Sequence, residues 1–149
     1  MTLLSRVNLI FRHTPRTAVL TTRNPNPSIK SYRDLRVWQQ AMDLVEAIYR
    51  ATDQFPVTER YGLVSQLRRA AVSVASNIAE GHARSRGDYH RFLMMSAGSL
   101  TEIETQLLIS IRLGLISVSC ATPLLDCCGR LGRMLTTLRK RVQARIPRP

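Results

Sequence analysis

Acidic residues and lysine are both scarce in this chain of 149 residues. Its 10 Asp and Glu residues stand against 22 Lys and Arg residues, and the only lysines are Lys30 and Lys140. Arginine therefore carries most of the net charge of +12. A chain this basic is expected to associate with a polyanion such as nucleic acid, or with an anionic surface, although net charge does not determine the fold.

The chain also lacks the residue patterns of most catalytic sites. A di-metal carboxylate site in a helical bundle needs Glu-x-x-His pairs, and neither Glu102 nor Glu104 is followed by a His at that spacing. The glycines of the last helix region are isolated and form no phosphate-binding loop. No local signature surrounds a cysteine nucleophile. We therefore expect no catalytic residues, no metal site, no cofactor and no enzymatic activity.

The three cysteines, Cys120, Cys127 and Cys128, are an odd set without the spacing of a zinc site. A disulfide between the adjacent pair would be strained, so reduced thiols in a cytoplasmic protein are the expected state. No hydrophobic run approaches the length of a membrane span, and we expect no membrane partner.

Residues 1–31 differ in composition from the rest of the chain. They contain five basic residues and no acidic residue, and Pro15, Pro25 and Pro27 interrupt any regular structure. We predict a basic, poorly ordered N-terminal extension. Four interpretations stay open: an arm that touches nucleic acid, a targeting peptide, a start codon assigned too far upstream, or a tail without a function of its own.

Residues 32–146 show the hydrophobic periodicity of amphipathic helices. The pattern predicts helices at about 34–52, 61–81 and 88–113, and a fourth that follows Ser119 or Thr122 and frays before Pro147. In the first helix, one apolar arc contains Leu35, Trp38, Met42, Val45, Ile48 and Tyr49. Short turns join the helices, and no β pattern or repeat competes. The predicted fold class is all-α, an antiparallel up-down four-helix bundle.

The second predicted helix is the one around which the others are expected to pack. One of its faces is an apolar stripe, and small residues line the other sides, which lets neighbouring backbones approach closely. We predict that a close contact, in the bundle or at an oligomer seam, uses Ser73, Ala75, Asn77 and Ala79. The alternative is an exposed helix rich in Ala and Ser.

One acidic residue, Glu104, falls within the apolar arc of the third helix. Burying a carboxylate costs free energy unless the group is paired, and arginine can meet it with two hydrogen bonds. We predict a structural ion pair between Glu104 and Arg68 or Arg69 that fixes helix register or joins subunits.

Positive charge is concentrated at the end of the chain, where residues 127–149 include no acidic residue. The predicted nucleic-acid-binding residues are Arg130, Arg133, Lys140, Arg141 and Arg145. The first four fall on one arc of the last helix, and such a stripe can follow several phosphates of one strand. No aromatic residue lies between them, so backbone or shape would be recognised instead of stacked bases. The alternative is a solvated basic face that only keeps the protein in solution.

Six segments in unbroken order carry a resemblance to a known family. They read RDLRVWQQA at residues 33–41, FP with ERYGL at 55–63, SQLRRAA at 65–71, NIAEG at 77–81, RFL at 91–93 and GSLTEIE at 98–104. The region resembles the four-helix bundle proteins of the intervening-sequence or S23-type family, some of which are encoded inside insertions in bacterial 23S rRNA genes.

The resemblance implies an up-down bundle that assembles as a homopentamer. It also implies kinship with the accessory proteins of diversity-generating retroelements, which are similar pentamers that bind nucleic acid and a reverse transcriptase. Two functional hypotheses follow. The first is a non-enzymatic oligomer that binds nucleic acid, above all RNA, through its positive surface. The second is a structural or protein-interaction scaffold, such as an accessory subunit to a reverse transcriptase.

Overall fold

The computed structural model describes residues 29–146. Apart from its last positions, the N-terminal extension predicted at residues 1–31 therefore lies outside the described residues. A 3-10 turn, Tyr32–Asp34, precedes the first long helix. A capping box stabilises this turn. Ser31 Oγ accepts a hydrogen bond from the backbone N–H of Arg33 at 3.2 Å, and the Asp34 carboxylate accepts one from the backbone N–H of Ser31 at 2.9 Å.

Four long helices follow, and the described residues include no β-strand. The helices are α1 (Arg36–Thr52), α2 (Leu63–His82), α3 (Arg86–Arg112) and α4 (Val118–Gln143), with a second 3-10 turn, Val57–Glu59, between α1 and α2. Each helix packs against the next, and α4 returns to pack against α1, so that the four surround one core. Short connections make neighbouring helices antiparallel. The predicted four-helix bundle is confirmed.

Helices α3 and α4 begin earlier than the sequence pattern predicted. The hydroxyl of Ser85 accepts a hydrogen bond from the backbone N–H of Asp88 at 3.3 Å and caps α3. The hydroxyl of Ser117 accepts a hydrogen bond from the backbone N–H of Cys120 at 3.3 Å and caps α4. Helix α4 therefore starts before either predicted cap. Pro123 consequently lies inside α4, beyond its first turn.

The predicted apolar arc of the first helix is confirmed in part, since Leu35 and Ile48 are buried and Trp38 and Val45 are partly buried against the core. Met42 and Tyr49, which belong to the predicted apolar arc, are 43% and 41% exposed. The residues of α1 that are buried are Val37, Ala41, Leu44, Ala47, Ile48, Ala51 and Thr52. The alanines on this face allow α1 to approach its neighbours closely, while the larger side chains flank the contact.

The most extensive helix contact is between α2 and α3. Two serines of α3 reach across it: Ser96 Oγ donates to the carbonyl of Val74 at 3.0 Å, and Ser99 Oγ donates to Ser73 Oγ at 3.1 Å. Ser73 Oγ also accepts from Asn77 Nδ2 at 3.2 Å. Ala75 is buried in the core. These small residues therefore serve a contact inside the bundle, and a seam between subunits at Ser73, Ala75, Asn77 and Ala79 stays a prediction.

The predicted ion pair of Glu104 with Arg68 or Arg69 does not form within the described chain, and a pair between subunits stays a prediction. Among the described residues, Arg68 pairs with Asp53, whose Oδ1 accepts from Arg68 Nη2 at 2.7 Å. Arg68 also donates to Thr52 Oγ1 at 2.9 Å, and its guanidinium lies 4.6 Å from the centre of the Tyr49 ring. Arg69 is exposed. Glu104 lies close enough to α4 for its charge to help raise the pKa of Cys128.

Candidate nucleic-acid interface

A groove between the start of α1 and the outer side of α4 brings together three of the predicted cations. We call this cavity of about 710 Å³ the α4 groove. Its basic residues are Arg36, Arg130, Arg133 and Arg141, and its apolar residues include Leu35, Val37, Met134 and Leu138. The arginines predicted from the fourth helix thus border a concave surface with an apolar floor.

The charge of the α4 groove is predominantly positive. Its one acidic lining residue among those described is Asp34, whose carboxylate accepts from the backbone N–H groups of Lys30 and Ser31, both at 2.9 Å. Within residues 29–146, no ion pair to a carboxylate engages Arg36, Arg133 or Arg141. These three guanidinium groups are available to an anionic ligand.

A second cavity, of about 450 Å³, lies at the end of the bundle where α2 ends and α3 begins. We call it the end pocket. The end of α4 contributes Arg141 and Arg145 to its lining, and the α2–α3 connection contributes His82 and Arg86. It shares Ile29, Leu35, Leu138 and Arg141 with the α4 groove, so the two cavities are continuous along α4.

Local contacts fix the walls of the end pocket. The ring centres of His82 and Tyr89 lie 5.8 Å apart in an edge-to-face arrangement. Gly81 permits this approach, since a Cβ there would lie 2.8 Å from Tyr89 Cδ2 and 2.7 Å from Phe92 Cβ. Arg86 Nη1 donates to the carbonyl of Arg145 at 3.1 Å and so links the start of α3 to the end of α4.

Lys140 is the one predicted binding residue that lines neither of these two cavities among the described residues, although it is exposed on α4. Conversely, the sequence analysis did not assign Arg36, His82 or Arg86 to the interface. The signal that could have found them is the antiparallel topology itself. It brings the start of α1, the end of α2, the start of α3 and the end of α4 to the same end of the bundle.

The outer face of α3 is largely apolar, in contrast to the basic α4 groove. Met94, Met95, Leu108 and Ile109 on this face are 40–51% exposed. Gly98, Thr101 and Thr105 lie between them, and Glu102 is the one charged residue of this described face between Arg91 and Arg112. The exposed apolar side chains thus form two pairs on one helix face, separated by small residues and Glu102, and such a face is compatible with a protein contact.

The buried cysteines Cys127 and Cys128 are unsuited to nucleophilic chemistry. Burial, reinforced by the charges of Cys127 and Glu104, raises the pKa of the Cys128 thiol to about 12. Burial also raises the pKa of Cys127, although nearby Arg130 opposes the effect. A buried thiol that stays protonated is a poor nucleophile and metal ligand. The part of the chain that the structure describes contains no group of three or more His, Cys, Asp or Glu residues arranged to hold a metal ion.

Within residues 29–146, none of the helices combines the length and the apolar character that crossing a membrane requires.

Residues 33–137 match the family described as 23S rRNA-intervening sequence protein. The chain belongs to this family. This intervening-sequence protein is also similar to the crystal structure of a protein with unknown function from the S23 ribosomal protein family of Bacteroides thetaiotaomicron, with a TM-score of 0.62 and 21% sequence identity. The similarity covers 70% of this chain and 98% of the other, and it shows the fold alone. No curated protein matches the sequence.

The family match confirms the predicted family and covers α1 to α3 and most of α4. Arg36, Arg130 and Arg133 of the α4 groove lie within the matched residues. Arg141 and Arg145 lie beyond them. The end pocket of this intervening-sequence protein therefore combines residues of the family region with residues outside it.

Proposed function

We propose that this intervening-sequence protein is a non-enzymatic, RNA-binding homo-oligomer that holds the phosphates of a strand along the α4 groove. The observation that carries the proposal is the convergence of Arg36, Arg130, Arg133 and Arg141 on one concave surface. Guanidinium groups keep their charge and present several donors to phosphate oxygens. The family description names a sequence that intervenes in 23S rRNA and does not state a ligand, so RNA is the polyanion that we propose to test.

The size of the α4 groove is compatible with a single strand. From Arg130 to Arg141 the helix rises by about 16 Å, enough to follow several phosphates. The groove residues of the described chain include no aromatic side chain. Contacts to the backbone, and not stacking on bases, would therefore supply the affinity, so binding should depend little on sequence.

Assembly would multiply this affinity. The resemblance to the family implies five subunits, and the exposed apolar face of α3 supports a contact between proteins. When several grooves engage one RNA, the second and later contacts form at high effective concentration. We therefore include a homo-oligomer, with five subunits as the expected number, in the proposed function.

The test removes three charges from the stripe of α4. A variant with Arg133→Gln, Lys140→Gln and Arg141→Gln should keep its fold and lose most of its affinity for single-stranded RNA in fluorescence anisotropy. The slope of log affinity against log salt should flatten by about 2 per engaged subunit, since each phosphate contact on a single strand contributes about 0.7.

A matched control separates the groove from net charge. Arg60→Gln, Arg91→Gln and Arg112→Gln remove the same charge from exposed positions on other surfaces. This control should bind RNA nearly as well as the unmodified protein. Equal losses in the two triple variants, or an unchanged salt slope in the first, would mean that the stripe is only a solvated face.

A second function is favoured by a separate observation. The surface between α1 and α2 exposes Val57 by 82% and Tyr61 by 90%, next to Arg60. Tyrosine and arginine are frequent energetic centres of protein interfaces. A protein-interaction scaffold, such as an accessory subunit to a reverse transcriptase, would use this surface or the outer face of α3. A protein that stays bound after nuclease treatment and is lost with Tyr61→Ser would support it.

A further inference from the structure

The end pocket has an enclosure that the stripe of α4 does not provide. Residues from the chain before α1, the end of α2, the start of α3 and the end of α4 close around about 450 Å³. Cavities of this size hold small ligands or single units of larger ones. His82, Arg86, Arg141 and Arg145 line it, and none of its described lining residues is acidic.

The three arginines are not neutralised by the protein itself. Within the described residues, Arg86, Arg141 and Arg145 take part in no ion pair with a carboxylate. The hydrogen bond from Arg86 to the carbonyl of Arg145 uses one of the five guanidinium donors and holds the group in place. The remaining donors can bind oxygen atoms of an anion.

The rest of the pocket wall is apolar and aromatic. Leu35 and Val142 are buried, and Leu138 lies between them and the α4 groove. The ring of Tyr89 stands edge-on to His82. A ligand that fits both parts has a compact anionic group joined to a less polar body.

The hydroxyl of Tyr89 is a buried donor that has no hydrogen-bond partner among residues 29–146. Burial raises the pKa of Tyr89 to about 12, so the hydroxyl keeps its proton at neutral pH. A buried polar group without a partner costs free energy, and a ligand oxygen would remove that cost. Tyr89 is one of the residues that line the end pocket, although its hydroxyl oxygen is itself covered by the surrounding protein.

Continuity with the α4 groove indicates which part of a strand reaches the pocket. The two cavities share Leu138 and Arg141, and the pocket lies where α4 ends. A strand that follows the stripe along α4 and stops where the helix ends therefore places its terminal nucleotide at the pocket. A terminal phosphate monoester carries nearly two negative charges, against one for each internal phosphate.

We propose that the end pocket binds the phosphorylated terminal nucleotide of an RNA strand held in the α4 groove. Arg86, Arg141 and Arg145 bind the terminal phosphate, and the apolar wall with Tyr89 holds the sugar and base. This inference rests on the proposed function, because the groove delivers the strand end to the pocket.

The test compares three forms of one short single-stranded RNA with an internal fluorophore. One form has a 5′-phosphate, one has a 3′-phosphate, and one has a hydroxyl at both ends. The protein should bind one phosphorylated form about tenfold more tightly than the hydroxyl-ended form, a typical gain for one charge-assisted contact. The preferred form also gives the direction of the strand.

Two negative results have different meanings. Equal binding of all three forms would overturn the end-pocket inference and leave the proposed function intact. If no form binds, the proposed function fails. The pocket is then tested with a mononucleotide and the matching nucleoside, of which only the mononucleotide should raise the melting temperature of the protein. If both ligands give the same melting temperature, the end-pocket inference is overturned as well.

Two double variants locate the preference. Arg86→Gln with Arg145→Gln removes two charges that line the end pocket and not the groove, and should reduce the preference to less than about twofold. The control, Arg133→Gln with Lys140→Gln, removes the same charge outside the pocket. This control should bind all three RNA forms less tightly by the same factor and should keep the preference for the phosphorylated form. A full preference in the first variant would overturn the inference.

A third variant tests the end pocket independently, in case the first double variant does not fold. Tyr89→Phe removes one hydroxyl that has no partner among the described residues and keeps the ring. It should melt at or above the temperature of the unmodified protein and reduce the preference about threefold. If the preference survives both Tyr89→Phe and the loss of the two arginines, the terminal phosphate binds elsewhere.

Discussion

Helices α3 and α4 are neighbours of nearly equal length, 27 and 26 residues, yet their outer faces have opposite chemistry. That of α3 exposes methionine, leucine and isoleucine, with one acidic residue in its middle. That of α4 carries the arginines of the α4 groove. The inner faces build the same core, so the fold does not require this difference. The difference fits the proposed function, in which α3 and α4 meet different partners.

The comparison separates assembly from RNA binding. Covering the α3 face with another protein would desolvate one charged residue, Glu102, whereas covering the α4 face would desolvate a row of guanidinium groups. The same row is an advantage against a polyanion. Variants on α3 and variants on α4 should therefore change different measurements.

The largest effect is expected from placing charge on the α3 face. Met95→Glu with Ile109→Glu should release subunits with a mass near 16.9 kDa in light scattering, because two carboxylates would be buried at the contact. RNA affinity should fall about 100-fold, since the multivalent contribution is lost. Gln54→Glu with Gln66→Glu adds the same charge at exposed positions on other surfaces and should change neither value. An unchanged mass in the α3 variant would contradict an assembly role for this face.

Alkaline pH should lower the stability that depends on the inner face of α4 without weakening the RNA binding that depends on its outer face. The pKa of Cys128 rises from 9.0 to about 12 on folding, so between these values the unfolded chain gives up a proton that the folded chain keeps. Stability from this group is complete below pH 9 and declines above it by about 1.4 kcal/mol per pH unit. Arginine stays charged throughout this range, so RNA binding by the folded protein should persist.

Urea unfolding at a series of alkaline pH values measures this decline. Cys128→Ala removes one titrating group and should reduce the slope without abolishing it, because burial also raises the pKa of Cys127 and of Tyr89. The smaller side chain should also lower stability at neutral pH. Identical slopes in the variant and in the unmodified protein would show that another group governs the decline.

Two glycine substitutions compare how tightly the inner side of α3 and its outer face are packed. Gly81→Ala should lower stability by about 1–3 kcal/mol, because the new Cβ would overlap Phe92 and Tyr89. Gly98→Ala lies on the outer face, where a Cβ would meet no atom of the described chain within 4 Å. It should stabilise an isolated subunit by up to about 1 kcal/mol, as expected for a helix interior. Weaker assembly of this second variant would show that a neighbouring subunit approaches Gly98.

The smallest effect concerns the ion pair that replaces the predicted one. Arg68→Ala should cost about 1 kcal/mol, since Asp53 is largely exposed and the Thr52 and Tyr49 contacts add modestly. Glu104→Ala should cost less, and the two changes should add in thermal unfolding. A clear departure from additivity would restore a link between Glu104 and Arg68.

The sequence was sufficient for the fold because helix periodicity survives in each segment taken alone. Leu67, Val74 and Ile78 in α2 and Leu124, Leu131 and Leu135 in α4 are buried as their spacing predicted. The same spacing placed Arg130, Arg133 and Arg141 beside the apolar stripe, and these residues line the α4 groove. Whether they bind RNA stays a prediction.

Features that depend on the register between helices were not predictable in this way. The sequence predicts a pair of Glu104 with Arg68 or Arg69 because a carboxylate within an apolar arc needs a partner, but a single helix does not reveal which neighbour each residue meets. Small residues misled the analysis of α1, where Ala41 and Ala47 are buried and the larger Met42 is not. The end pocket draws on four separate segments, and its members become neighbours only when the bundle closes.

The alternation of helix direction has an electrostatic consequence at the end pocket. At this end of the bundle α1 and α3 begin while α2 and α4 finish. The positive pole of a helix macrodipole lies at its start and the negative pole at its finish, so the four poles alternate in sign around the ring and largely cancel. The potential there is then set by Arg86, Arg141 and Arg145. An identical backbone with neutral residues at these positions would have no preference for anions.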